Sequence, residues 1–230
     1  MRISLSTVTA AILIIILNSS CRNRETKSFS QGEIHYSISY GGPSGSIPVE
    51  LMPRTLVVSF KRDRILFDIQ SPFGNMGIAN LSNHEEEIYD TYVNMFGGGR
   101  FLYSGDPEET PPGMKSMNGM KITRTGKTAE ILGFSCEHAT VTLPSMPDSV
   151  FEIWFTGELD INDPNAANPF REIDGVLLKF FFLMGEREFI FEADGIYLKE
   201  IPDRIFLRRE KYRRVTKEAM DEFIVRLVNF

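Results

Sequence analysis

Apolar and polar residues alternate along much of the chain. Ile34, Tyr36, Ile38 and Tyr40 interleave with Glu33, His35, Ser37 and Ser39. A period of two marks a half-buried strand. Leu56, Val58 and Phe60 repeat the pattern, a charged turn follows at 61–64, and Ile65, Phe67 and Ile69 resume it. Residues 76–81 and 87–95 give weaker strand signals, and 128–131, 134–143 and 151–155 give further ones. Near the C-terminus, 176–184 and 187–193 flank Gly185-Glu186, a hairpin-type turn. Segments 196–201 and 204–207 are expected to complete the sheet. One helix stands out. Thr216 is placed to cap it, Glu218 lies near its positive dipole end, and Ala219, Phe223 and Leu227 recur at i+4, flanked by Met220 and Ile224. Part of 48–54 is too short to define a second helix. The pattern predicts a mainly β (α+β) fold, an antiparallel sheet of roughly ten or more strands with a C-terminal helix packed across it.

The N-terminus has a different pattern. Met1-Arg2 supplies a short positive start, and 8–17 (VTAAILIIIL) is an apolar run of ten residues. A membrane-spanning helix takes about 20, so this is expected to be a secretory signal core. It ends on Asn18-Ser19-Ser20-Cys21. Small residues before a cysteine resemble the lipobox of bacterial lipoproteins, with Asn18 standing where leucine is usual. The resemblance implies cleavage before Cys21 and acylation of Cys21, which would anchor the chain stably. No aspartate follows Cys21, which in lipoprotein sorting resembles release toward the outer membrane. The expected organisation is a signal peptide at 1–20, a lipidated N-terminus and tether at 21–31, and one β domain at 32–230.

The chain has 230 residues, 42% apolar and 24% charged, which suits one globular domain. Its net charge of −6 argues against a general nucleic-acid binder. Two cysteines and three histidines are too few for a disulfide scaffold or a Cys/His zinc module. No cofactor, metal or catalytic set is expected. Two segments, 104–119 and 157–174, interrupt the strand pattern and are either functional rims or mobile surface.

Local chemistry is sparse. Cys136 and His138 stand two apart on one expected strand and could lie side by side, but a buried packing role suits a lone cysteine better. Asp160, Asn162, Asp163 and Asn165 supply oxygens in one loop, yet Pro164 breaks the calcium-loop spacing and Arg171 stands where its glutamate belongs. His84 beside Glu85, Glu86 and Glu87 suits a charged turn. Gly97-Gly98-Gly99 and Gly126-Lys127-Thr128 lack the frame of a phosphate loop. Met114, Met117 and Met120 recur every three residues and could form an adaptable flap. Between 204 and 217 there are seven basic residues and one acid, Glu210. That run would face either anionic lipid head groups or solvent.

Three stretches carry a family resemblance: Thr125-Gly-Lys-Thr-Ala-Glu-Ile-Leu-Gly-Phe-Ser-Cys-Glu-His-Ala-Thr-Val, Phe151-Glu-Ile-Trp-Phe, and Phe206 followed by Tyr212-Arg-Arg-Val-Thr and the terminal helix. In this order they resemble a family of exported bacterial lipoproteins related to the lipoprotein carriers LolA and LolB. The resemblance implies a strongly curved, half-open antiparallel barrel with helices across its mouth, whose concave face binds acyl chains. The arginine of LolA and the projecting leucine loop of LolB match no position here. The residues themselves offer an aromatic wall. Phe180 and Phe182 share one strand face and Phe189 and Phe191 another. With Tyr36, Ile38, Phe60 and Phe67 they are the expected ligand-binding set; the alternative is that they fill the core. The expectation is a non-enzymatic envelope lipoprotein holding a lipid or other apolar ligand. The alternative is a protein-interaction or structural envelope component with a filled core and an envelope protein as partner.

Overall fold

The computed structural model describes residues 30–42, 49–74 and 76–229. The signal peptide, Cys21 and the tether up to residue 29 lie outside the described residues, as does 43–48.

Twelve strands form one mixed sheet: β1 (Gln31–Gly41), β2 (Thr55–Lys61), β3 (Arg64–Gln70), β4 (Gly77–Asn83), β5 (Ile88–Met95), β6 (Gly99–Ser104), β7 (Lys121–Ile131), β8 (Phe134–Leu143), β9 (Met146–Thr156), β10 (Val176–Met184), β11 (Arg187–Tyr197) and β12 (Arg213–Arg214). Their order is β12-β6-β5-β4-β3-β2-β1-β11-β10-β9-β8-β7. Every pairing is antiparallel except β12 with β6. β12 and β7 are the two ends, and they do not pair, so the sheet is not closed. Short turns join β2 to β6 as a meander. The β1–β11 pairing then brings the two halves of the chain together.

One helix, α1 (Lys217–Asn229), follows the last strand. Thr216 caps it as expected: its Oγ1 accepts from the Ala219 N–H at 3.3 Å. Met220, Ile224 and Val228 are buried in the main core. The helix lies against β5, β6 and β10. No helix among the described residues is long and apolar enough to cross a membrane.

Both faces of β3, β4 and β5 are covered. One face joins the main core under α1, through Ile65, Phe67, Ile69, Ile78 and Val93. The other carries a second cluster, Leu66, Ala79, Leu81, Ile88, Tyr92 and Leu102, which is closed by Ile201 and Phe206. The strand expected at 204–207 is instead a 3₁₀ turn, Asp203–Phe206, which packs on β3 and β4. Pro202 precedes it and lacks the N–H that a ladder needs. β11 ends at Tyr197, short of the strand expected at 196–201. The candidate helix within 48–54 is a 3₁₀ turn, Val49–Leu51.

The two long segments are packed rather than free. β9 pairs with β10 only from Val176 to Lys179. Beyond that point a third 3₁₀ turn, Lys115–Met117, lies against β10, and the Leu183 N–H points to Met117 Sδ at 3.5 Å. Met114 and Met117 are buried. Gly113 has φ of +83°, and a Cβ there would lie 2.4 Å from Ile224 Cγ2, so only glycine lets this loop close onto α1. From the other segment Phe170 is fully buried against the ring of Phe181. Asn165 holds that loop shut: its Nδ2 donates to the Ile173 and Gly175 carbonyls at 2.7 and 3.0 Å.

Candidate functional site: an aromatic interior and its rim

The register gathers the expected ligand-binding set on one face. Across the two-residue turn, Phe180 stands opposite Phe191 and Phe182 opposite Phe189. Across the next pairing Ile38 faces Phe191 and Tyr40 faces Phe189. Phe60 and Phe67 belong to the same cluster from β2 and β3. Phe180 and Phe191 stack with centroids 4.8 Å apart, and Tyr36 meets Phe180 edge-on at 5.4 Å. Tyr36 donates its hydroxyl proton to the Leu177 carbonyl at 2.8 Å. Burial pushes its phenol far up, so it stays protonated.

The eight members of the expected set are all buried, while Tyr40 is half-buried. Among the described residues, the cavities that touch them are small. One cavity of about 10 Å³ touches Tyr36, Phe60, Phe67 and Phe180. A second, of about 30 Å³, is apolar and lies at the rim between the end of α1 and the β3–β4 turn, lined by Met52, Ile69, Met76, Phe189, Leu227 and Val228. Such volumes hold a water molecule or two.

The rim also holds a charge that the sequence pattern hides. Arg187 opens β11 in phase with Phe189 and Phe191, is 4% exposed, and is opposite Met184. Its Nη1 lies 2.7 Å from Met52 Sδ, and its Nη2 is buried with no hydrogen-bond partner. No carboxylate pairs with it among the described residues.

A polar crevice, likewise missed by period-two reasoning, lies where Asn80, Thr91, Tyr89 and Tyr103 line β4 to β6. The detectable signal is polar Asn80 and Ser82 continuing the inward phase of Ile78. Thr91 donates to Asn80 Oδ1 at 3.0 Å. Glu109 closes the crevice, accepting from Tyr103 Oη at 2.5 Å and Lys217 Nζ at 2.7 Å. Burial raises the Glu109 carboxyl, but these two donors outweigh it and hold the group below the usual carboxylate range. The opening is about 30 Å³.

The other candidates take structural positions. Cys136 Sγ points to the Phe134 carbonyl at 3.5 Å, and burial pushes the thiol up. His138 Nδ1 faces Thr125 Oγ1 at 2.8 Å and its Nε2 lies 3.5 Å from Glu152. Neither side chain's contact is with the other. His84 sits between Tyr89 Oη (2.8 Å) and Asp163 (3.6 Å), and no group of three metal-binding side chains occurs among the described residues. The basic run at 204–217 is mostly consumed internally. Arg208 and Arg209 pair with Asp90 and Asp68, Lys217 with Glu109, Arg213 lies over Phe101, and Arg214 donates to Ser104.

No family model matches the sequence, and no curated protein matches it. Two crystal forms of PNGF-II share the fold, with TM-scores of 0.54 and 0.52 at 14% identity. They cover 85% of this chain, which spans about a third of PNGF-II (33% and 32%). LprF from Mycobacterium bovis overlaps 76% of this chain and 89% of its own, at 10% identity and a TM-score of 0.26. That score bears on neither fold nor function, and the PNGF-II likeness is one of fold alone.

Proposed function

We propose that this is a non-enzymatic, exported envelope protein whose aromatic interior is its own core, so that it binds its partners outside that core. The observation that carries this is the filling of the interior by Phe170, Met114 and Met117, which leaves, among the described residues, a cavity of about 10 Å³ inside and one of about 30 Å³ at the rim. A ligand of drug size or larger needs about 300–1,000 Å³. Its location follows the sequence: Cys21, resembling a lipobox cysteine, anchors the chain in the envelope, at the outer membrane and facing the periplasm.

The curved, half-open barrel belongs to the same proposal. α1 touches both β6 and β10, which are seven strand positions apart. In a flat sheet that is roughly 34 Å, while a helix is about 10–12 Å across. A strong curl of the sheet around α1 accounts for both contacts.

A second reading keeps the interior as an acyl-chain site related to the lipoprotein carriers. It is favoured by the rim crevice, which reaches Phe189 at the edge of the aromatic wall. Extraction of a self-quenched fluorescent diacyl lipid from vesicles separates the two. No dequenching is expected. Stoichiometric extraction by the wild-type chain would transfer the assignment to the carrier reading.

A further inference from the structure

The turns of the β2–β6 meander differ in chemistry between the two ends of the sheet. At one end stand Lys61-Arg62-Asp63-Arg64 and His84-Glu85-Glu86-Glu87. At the other, β3 turns toward β4 past Ser71-Pro72-Phe73-Gly74, and β5 turns into β6 through Phe96-Gly97-Gly98. The register sets both of these turns on one row. Gln70 pairs with Gly77, Gly77 with Asn94, and Asn94 with Arg100. The chain carries 31 acidic residues, yet none lies in 69–83 or 91–105, and the one charge there is Arg100.

Phe73 is 74% exposed and Phe96 75%, more than any other large apolar side chain among the described residues. The backbone beside them stands clear of the body: a Cβ built at Gly74, Gly97 or Gly98 meets nothing within 4 Å. The two tips are two strand spacings apart, roughly 10 Å. Arg100 is exposed and forms no ion pair among the described residues.

A protein partner grips such rings in packed pockets, sealed by surrounding contacts that exclude water. Here glycine and open space surround them, so nothing forms that seal. A lipid surface needs no matching wall. Aromatic rings enter the boundary between head groups and acyl chains, and a cation beside them is drawn to anionic head groups. The acid-free turns suit such a surface. The opposite end, with three consecutive glutamates, does not.

We propose that Phe73 and Phe96 form a membrane-docking point, with both rings in the interface of an anionic lipid surface and Arg100 at its head groups. This rests on the reading that partners bind outside the filled interior, and it names the partner. The contact is separate from an anchor at Cys21. The Ser30 carbonyl accepts from the Arg62 N–H at 2.7 Å, so the described chain starts at the charged end, away from the tips.

The test places a tryptophan at each tip of the full chain, Phe73→Trp and Phe96→Trp, with Val150→Trp as control. Val150 is 63% exposed on β9, on the far side of the sheet order from the tips. All three positions are exposed, so the melting temperature is expected to stay at the wild-type value. The vesicles are phosphatidylcholine and phosphatidylglycerol in equal parts, with brominated or unbrominated acyl chains, and the wild-type emission of Trp154 is subtracted. The apolar run at 8–17 is common to every variant and carries no tryptophan. Both tip tryptophans are expected to shift to the blue on vesicles and to lose emission to the brominated chains, while Val150→Trp does neither. Adding Arg100→Gln is expected to raise the lipid concentration at half-maximal quenching about fivefold, the share of one basic residue. An unchanged concentration overturns the role of Arg100. Unquenched tips on a chain that sediments with the vesicles overturn the proposal and leave the rings to a protein partner. Equal quenching at Val150, which would be unspecific adsorption, overturns it too, and so does a chain that ignores the vesicles. The diacyl-lipid extraction reads the interior and these tryptophans read the outside, so each reading can fail without the other.

Discussion

Arg208 grips Asp90 with two nitrogens, Nε to Oδ2 at 2.8 Å and an Nη2 donor to Oδ1 at 3.2 Å. Asp90 is fully buried on β5, and Tyr92 Oη also donates to it at 2.7 Å. The pair ties the 198–212 segment to the face of the sheet away from α1. Arg208→Ala leaves a buried carboxylate with one neutral donor and is expected to destabilise by about 2 kcal/mol, below the fully buried range because Arg208 is partly exposed. Urea unfolding measures it. A double cycle with Asp90→Asn is expected to recover part of the loss, since the unpaired charge is then gone.

Phe170→Ala removes the ring that touches Phe180, Phe181 and Phe182. The expected cost is about 3–5 kcal/mol, from lost burial plus the cavity. An apolar cavity of this kind stays dry and takes small apolar molecules. Benzene is therefore expected to raise the melting temperature of Phe170→Ala and leave wild type unchanged.

Asn165→Ala deprives two buried carbonyls, Ile173 and Gly175, of their donor. The expected cost is about 2 kcal/mol. Hydrogen exchange is expected to accelerate across 159–173 and to stay slow in β2 and β3. Uniform acceleration would contradict a locally pinned loop.

Glu109 sets a pH dependence. Its folded-state carboxyl titrates below the usual range, so its contribution is present at neutral pH and is lost as pH falls through that lowered value. Wild type is expected to lose stability below about pH 4 more steeply than Glu109→Gln. Glu188, pushed up by burial, acts in the opposite sense and is common to both proteins. Parallel pH profiles for the two would remove Lys217 and Tyr103 as the source.

The strands most legible in the sequence are those with one wet face. β1 shows it best, with Ile34, Tyr36 and Ile38 buried between residues that are partly or fully exposed. β4 is buried at all seven positions, because 198–212 covers its second face. Its alternation is therefore weak, although it is central to the sheet. Ile205-Phe206-Leu207 mimics a strand, but its apolar residues plug the second cluster from a 3₁₀ turn. The aromatic wall is visible because Phe180 and Phe182 mirror Phe189 and Phe191 about a two-residue turn. The plugs are not visible. Met117 shares a three-residue methionine spacing that does not say what it covers, Phe170 sits in a segment without a period, and only the gap where β9 leaves β10 gives them a place. Arg187 is hidden for another reason: an arginine at the end of a hairpin turn ordinarily reaches water, and its burial depends on Met52 from a distant loop.

The filled interior is tested most directly by native mass spectrometry of the chain after exposure to diacyl phosphatidylglycerol. The account predicts no diacyl adduct, because Phe170, Met114 and Met117 occupy the space. One diacyl lipid retained per chain would contradict it and make the aromatic face a lipid chamber.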